Sequence, residues 1–418
     1  MAELAAALAL LSGKPGAAAT PRSPEALPRL AAEPGTGQRP EMLYRRGLSL
    51  QELASKLSHQ PADQLKLLHQ AAEVYLEASC MQAGRHAAAL YNWAVALTDI
   101  ARLVRASQPE EAYECLTAAA SKYAQSLAAQ PDNPQACNNW GLVLQDLASL
   151  RPASERAAYL HHSCSKFRRA LRLRPGFDRA CYNLGTVLYG HACSLQEALL
   201  AGQEAAEAAA LAALAARSRA GMPQTPRTPR TPRSTAAVAR ERAIAATFAH
   251  AAQYIALAAA QQPGKQVYSD SLAAVQRLLP LPFLRAGPLM AVHPDTAGTP
   301  AERWSPAWFG LDSERLAAAR PPAALAGQAA AAGLPLASVP PPIVVELADV
   351  TDARLAADPS LPAGAALWVG LFSKPSGVYF VAPDQDDAEG WVDALLLLAH
   401  LHRTGGTDGV RAALSVRR

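Results

Sequence analysis

Three stretches between Ala89 and Gly190 carry one short core, and a chain that repeats such a core must repeat a structural unit. They read Leu90-Tyr91-Asn92-Trp93-Ala94-x-x-Leu97, Cys137-Asn138-Asn139-Trp140-Gly141-x-x-Leu144 and Cys181-Tyr182-Asn183-Leu184-Gly185-x-x-Leu188. Each is followed by a second helix-like stretch that ends in proline. The endings are Tyr123-x-x-Ser126-Leu127-x-x-x-Pro131, Phe167-x-x-Ala170-Leu171-x-x-x-Pro175 and, much later, Ile255-x-x-Ala258-Ala259-x-x-x-Pro263. The small residues Ala94, Gly141 and Gly185 let a neighbouring helix approach closely. Ser126, Ala170 and Ala258 do the same on the second helix. The closing proline cannot continue a helix and turns the chain into the next unit.

This pairing resembles the tetratricopeptide repeat, a helical hairpin that stacks into a solenoid. The spacing departs from the family: Asn92 to Asn139 is 47 residues and Asn139 to Asn183 is 44, against a family period of about 34. Upstream, Leu50, Leu53 and Leu57 followed by Leu65, Leu68, Ala72, Tyr75 and Ala78 predict a degenerate leading repeat, because Tyr75-x-x-Ala78 matches the second-helix pattern. The predicted fold class is mainly α. It comprises a helical-repeat solenoid over residues 44–279 and a small α+β barrel over 280–404, with tails at 1–43 and 405–418.

Composition agrees with packed helices. Half of the 418 residues are hydrophobic, Ala supplies much of that share, and only 6% are aromatic. The net charge of +4 is concentrated: six arginines and one glutamate lie between Ser218 and Arg242. The rest is near neutral, so a nucleic-acid-binding face is not expected. The cysteines Cys80, Cys115, Cys137, Cys164, Cys181 and Cys193 form no C-x-x-C pair and read as small, buried, reduced residues. No run of 18 apolar residues occurs, so a membrane span is not expected.

The third repeat is split. A first helix starts near Arg179 and an Ala-rich helix is predicted from Leu195 to Arg217. A flexible insert at 218–236 then carries the triplets Thr225-Pro-Arg, Thr228-Pro-Arg and Thr231-Pro-Arg. Thr225, Thr228 and Thr231 are candidate phosphorylation sites, with an unmodified linker as the alternative. Residues 1–40 read as a disordered Ala/Pro-rich tail, with a plastid transit peptide as the alternative.

After a helix at 267–279, prolines 280, 282 and 288 break the helical pattern. Strands are predicted at 283–292, 307–311, 343–347, 366–371 and 378–382, and a closing helix at 386–403 bears Trp391. Trp304-x-x-x-Trp308-Phe309-x-Leu311 and the Trp391 helix resemble the pleckstrin-homology family. That resemblance implies a curved sheet capped by a helix. Inositol-lipid binding there would need several basic residues around the first strands, and only Arg285 and Arg303 are present.

No catalytic signature is found: there is no G-x-S-x-G, no phosphate-binding Gly-rich loop followed by Lys, and no H-E-x-x-H. An enzyme is not expected, nor a cofactor. His161-His162-x-Cys164 reads as surface residues rather than metal ligands, and Asp384-x-Asp386-Asp387 as a helix cap. Asn92, Asn139 and Asn183 recur at one position of the first helices, beside Tyr91 and Tyr182. These five are the candidate partner-binding residues, with bonding inside the repeat stack as the alternative. The lysine and asparagine with which co-chaperone repeats clamp a carboxylate are replaced here by Tyr91 and Val95.

The order Asn139-Trp-Gly-Leu-Val-Leu-Gln145, Tyr182-Asn-Leu-Gly-Thr-Val-Leu-Tyr-Gly190, Leu278-Leu-Pro-Leu-Pro282, then Trp304 and the Trp391 helix, resembles a green-lineage family of repeat proteins known from hypersensitivity to the actin drug latrunculin B. The resemblance spans roughly 45–415 and implies a cytoplasmic scaffold, peripheral on the trans-Golgi network and early endosome, linking membrane traffic to actin. Expected partners are proteins, with actin, trafficking factors and a membrane surface among the implied contacts. A generic cytosolic or plastid assembly factor is the alternative.

Overall fold

The computed structural model describes residues 39–81, 86–219, 235–292, 304–321, 326–331, 334, 343–358 and 360–415. It divides into two compact units, one ending at Arg174 and one starting at Pro175. That division falls within the repeat pattern rather than at its end near residue 279.

The first unit is three stacked helical hairpins. They pair α1 (Arg39–Lys56) with α2 (Pro61–Met81), α3 (Ala87–Val104) with α4 (Pro109–Ala129), and α5 (Pro134–Ser149) with α6 (Ala153–Leu173). Pro61, Pro109 and Pro134 begin their helices, where a missing N–H costs nothing. Asn133 caps α5 by accepting from Ala136 N at 3.0 Å. The extra length over the family period lies in the helices themselves, 16 to 21 residues each.

Each hairpin closes by setting a large side chain of its second helix over a small residue of its first. A methyl group added at Gly141 would fall 2.7 Å from the Phe167 ring, and one at Gly47 would strike the Tyr75 ring. Ala94 and Tyr123 hold the matching places in the middle hairpin, both fully buried. This packing shifts the register of α1. It starts at Arg39, well ahead of the leucine run that opens at Leu50, and the Gly47 and Ala54 side faces inward, so Leu53 is 50% exposed rather than in the core.

The second unit opens with a fourth hairpin, α7 (Asp178–Arg219) and α8 (Thr235–Gln261). The two helices expected near Arg179 and from Leu195 to Arg217 are one continuous 42-residue helix. Between them the chain has no proline, and its Ala, Leu and Glu residues favour helix. Gly185 admits Ile255, whose Cγ1 would lie 2.7 Å from an added Cβ. The second helix of this hairpin differs from its counterparts because every residue from Ala251 to Ala260 is buried. Helix α8 is enclosed by α7, by α9 (Gln266–Val275), by a 3₁₀ turn at 276–278 and by elements that follow. Its stretch 236–261 is long and apolar enough to cross a membrane by composition; here Ala251 to Ala260 are buried in the unit, whereas 236–250 is exposed or half-buried apart from Ile244.

A seven-stranded antiparallel sheet follows: β1 (Arg285–Val292), β2 (Trp304–Leu311), β3 (Arg315–Ala318), β4 (Val344–Glu346), β5 (Val350–Ala356), β6 (Ala365–Leu371) and β7 (Val378–Ala382). The order is β4-β3-β2-β1-β7-β6-β5. A short helix, α10 (Ala326–Ala331), lies between β3 and β4. β3 and β5 were not read from the sequence, because each mixes small and charged residues without clear alternation. The expected closed barrel is not formed: among the described residues β4 pairs with β3 and β5 with β6, and no ladder joins β4 to β5. The two edge strands are nevertheless consecutive, joined only by a 3₁₀ turn at 347–349. So short a link spans at most about 10 Å, so the sheet must curl until its two edges meet at one corner. Leu347 N bonds Glu314 O at 2.8 Å on one side of that corner, and Phe372 N bonds Asp349 O at 2.9 Å on the other.

Helix α11 (Gln385–Thr404) covers β5, β6 and β7. Asp384 caps it by accepting from Asp387 N at 2.8 Å. Gly405 ends it in the left-handed conformation, φ 77°. The stretch read as a tail from 405 then holds one more helix, α12 (Thr407–Leu414), whose Val410, Ala413 and Leu414 are buried. Of the other expectations, Arg39 to Leu43 are helical rather than tail, and the rest of 1–43 lies outside the described residues. All six cysteines are free; Cys137, Cys164 and Cys181 are buried as expected, but Cys115 and Cys193 are only partly buried and Cys80 is exposed.

Gly141→Ala tests the small-over-large rule. The new methyl would overlap Phe167, and an overpacked core typically loses about 1–3 kcal/mol. Chemical denaturation of the full chain should show a loss of that size, whereas Gly202→Ala, at an exposed helical position with open space around it, should gain about 0.5–1 kcal/mol.

Candidate interaction site

The recurrent asparagines sit where successive first helices meet. On α3, Asn92 Nδ2 donates to Ala88 O at 3.0 Å and to the Tyr44 hydroxyl of α1 at 3.2 Å. On α5, Asn139 Nδ2 donates to the Tyr91 hydroxyl of α3 at 3.0 Å, and Asn138 Nδ2 donates to Asn139 Oδ1 at 3.1 Å. The Asn92–Tyr44 and Asn139–Tyr91 bonds each run from the asparagine of one repeat to the tyrosine of the repeat before it. In the second unit, Tyr182 keeps the pattern with Ser271 of α9, oxygen to oxygen at 2.9 Å. Ser271 follows Pro263 by the same eight residues that separate Asn139 from Pro131. Helix α9 therefore stands at the first-helix position of a further repeat, and a 3₁₀ turn and β-strands follow it. Tyr182 also stacks on Tyr268 at 4.6 Å, and Asn183 is half-buried on α7.

The structure thus brings Tyr91, Asn92 and Asn139 together and gives them a bonding role inside the stack. Asn183 and Tyr182 lie in the other unit. Thr225, Thr228 and Thr231 lie outside the described residues.

A second repeated feature went unread in the sequence. Lys122 Nζ lies 4.1 Å above the centre of the Trp93 ring, and Lys166 Nζ lies 3.8 Å above that of Trp140. The signal was present: each tryptophan precedes the small residue of its first helix, and each lysine precedes the large residue of its second. Burial pulls both ammonium groups below the ordinary lysine range, and the Arg169 charge adds to this at Lys166. Trp140 is only 3% exposed, and its indole N–H has no acceptor among the described residues.

In the second unit, Arg285 is spoken for by neighbouring side chains. It is 4% exposed. Its Nη2 donates to Asp387 Oδ1 at 2.7 Å and to Asp387 O at 3.0 Å, and its Nη1 to Gln253 Oε1 at 3.2 Å. The guanidinium lies over the Trp391 ring at 5.0 Å, in space left by Gly390, where an added Cβ would meet Nη1 at 2.5 Å. His250 Nε2 stands 3.4 Å from Asp387 Oδ1. Gln253 Nε2 donates to Gly390 O at 3.2 Å, and the Tyr254 hydroxyl to Asp393 Oδ2 at 2.7 Å. These contacts fasten α11 to α8. A lipid headgroup would have to break them to reach Arg285, and Arg303 lies outside the described residues. Among the described residues no group of three His, Cys, Asp or Glu side chains could hold a metal ion.

Burial pushes the Asp387 carboxyl up, but the His250 hydrogen bond and the charges of Arg285 and His250 outweigh it and hold the group below the usual range. A carboxyl depressed by folding contributes stability above its unfolded pKa and loses it as pH falls through the folded value. Asp387→Asn should therefore cost about 3 kcal/mol at neutral pH, as expected when a buried cation loses its partner. It should also flatten the acid limb of stability measured by denaturant titration from neutral pH downward. For the repeat interface, Asn139→Ala and Tyr91→Phe should each cost about 1 kcal/mol. The double variant should lose less than their sum, since both changes remove one bond.

No protein-family model matches the chain, and no curated protein matches it. Among solved structures, a TPR repeats protein from Bacteroides fragilis NCTC 9343 matches with 14% sequence identity and a TM-score of 0.23, over 57% of this chain and 99% of that one. A superposition that loose carries no argument about this chain.

Proposed function

We propose that the protein is a non-enzymatic interaction scaffold of tetratricopeptide type, whose repeats bind protein partners. The observation that carries this reading is the repeated hairpin packing: a large side chain over a small one within each hairpin, and tyrosine-to-asparagine bonds between first helices. Such stacks present long surfaces for other proteins.

The carboxy-terminal sheet is read as pleckstrin-homology-like. Its strand order, its edges drawn together at one corner and the Trp391 helix laid across β5 to β7 support that reading. Its role is that of a closing module for the array and not of an inositol-lipid receptor, since Arg285 is consumed in fastening α11 to α8. With the motif order along the chain, the cellular reading is a peripheral protein of the trans-Golgi network and early endosome that links membrane traffic to actin. Asn92, Asn139, Asn183, Tyr91 and Tyr182 are its candidate partner contacts, and the Thr-Pro-Arg insert its candidate point of phosphorylation. A generic cytosolic or plastid assembly factor is the second reading, favoured by the Ala/Pro-rich first forty residues.

Localisation separates the two. A carboxy-terminally tagged copy expressed in a plant cell should mark mobile puncta that overlap a trans-Golgi marker and stop moving under latrunculin. A plastid signal with a shortened chain would overturn the trafficking reading in favour of the second.

A further inference from the structure

The paired lysines and tryptophans sit at equivalent positions of successive repeats, so they lie on one face, one repeat apart. Neither Lys122 nor Lys166 meets a carboxylate among the described residues; Lys122 has only a 3.5 Å contact to Gln125 Oε1 besides its ring. Two half-buried ammonium groups without counter-charges are costly unless something supplies the charge. Arg169, one turn from Lys166, is exposed, and its Nη2 donates to the Pro131 carbonyl at 3.1 Å. The acid of helix α6, Glu155, is already bound by Arg151 at 2.9 Å, so it does not neutralise Lys166 or Arg169.

Beneath Lys166 lies the second, independent observation. The Trp140 N–H is a buried donor with no acceptor among the described residues, and native structures rarely leave one so. Lys166 covers the face of the same indole on a flexible stem. If the lysine swings aside, an oxygen arriving at the ring edge can accept from the N–H while its twin oxygen meets the ammonium.

We propose that this face of the first unit docks an acidic protein segment, with carboxylates seated at Trp140/Lys166 and at Trp93/Lys122. The proposal rests on the scaffold reading and gives its partner a chemical class. A protein segment fits better than an anionic membrane because the donors are recessed: Trp140 is 3% exposed and both lysines are half-buried. A side-chain carboxylate can enter such a recess, whereas a flat headgroup layer engages cations that protrude. Burial has lowered both lysines, and a seated carboxylate would reverse that.

The test titrates the full chain with an end-blocked peptide of glutamate and serine, beside its glutamine counterpart and vesicles of phosphatidylcholine with or without phosphatidylserine. The glutamate peptide should bind and the glutamine peptide should not. Lys122→Gln/Lys166→Gln should weaken binding about tenfold or more, the scale of losing two charge-assisted contacts. Trp140→Phe leaves the charge unchanged and removes only the donor. It should also weaken the peptide, while its melting temperature stays at or above that of the parent chain. Undiminished binding by the lysine variant would place the peptide elsewhere and overturn the proposal. Undiminished binding by Trp140→Phe would reduce the site to diffuse charge and overturn it equally. Vesicle binding lost in the lysine variant, with no peptide binding in the parent, would assign the face to a membrane. The scaffold reading fails separately, on localisation.

Discussion

The structure depends first on how closely two helices can approach. At Gly47, Gly141 and Gly185 a methyl group would collide with Tyr75, Phe167 and Ile255, and Ala94 holds the matching place below Tyr123. A large side chain over a missing one brings the backbones together and helps set the register of the pair. Dispersion and burial then act along the full length of each pair. Three aromatics, Tyr75, Tyr123 and Phe167, stand at these points, and Ile255 takes the fourth.

Between repeats the constraint is directional. Tyr44 to Asn92, Tyr91 to Asn139 and Tyr182 to Ser271 each join consecutive first helices by one bond. Bonds of this kind add little net stability, about 1 kcal/mol each. A mis-stacked hairpin, however, would leave the groups buried and unpaired, and that penalty selects the register. The same residues can therefore recur for the sake of the stack, and recurrence alone does not separate a binding row from an internal one.

The second unit follows a different logic from its first hairpin onward. The second half of helix α8 is apolar enough to be wrapped on all sides, and part of what wraps it comes from far along the chain. Where α11 lies against it, the contact is polar and buried: Gln253, Tyr254 and His250 reach Gly390, Asp393 and Asp387, with Arg285 between them over Trp391. Hydrophobic burial would let α11 slide or rotate on an Ala-rich surface. The hydrogen-bonded charges hold it in one place, and Gly390 is the vacancy that admits the guanidinium.

Much of this could be read from residue order, because the helical hairpins rest on local spacing. The small residue, the large residue and the closing proline lie within one unit, and the strands with clear apolar runs, such as Val378 to Ala382, were equally plain. β3, β5 and α12 were missed because their apolar residues are too few to show a period before a neighbour covers them. A clear leucine run misled in α1, where the demand for space over Gly47 turned Leu53 outward. At the candidate site, the recurrence of Asn and Tyr was visible, and the direction of their bonds was not. The Trp/Lys pairs stayed hidden because their partners are more than two dozen residues apart, as did Arg285, whose partners are farther still. The sequence by itself determined the hairpins, their number in the clear repeats and the change to strands after residue 280, since each follows from neighbours along the chain. Only the tertiary structure decided which helix is enclosed, where the sheet's edges meet and which charges are spent inside. Those outcomes depend on which distant surfaces compete for the same space.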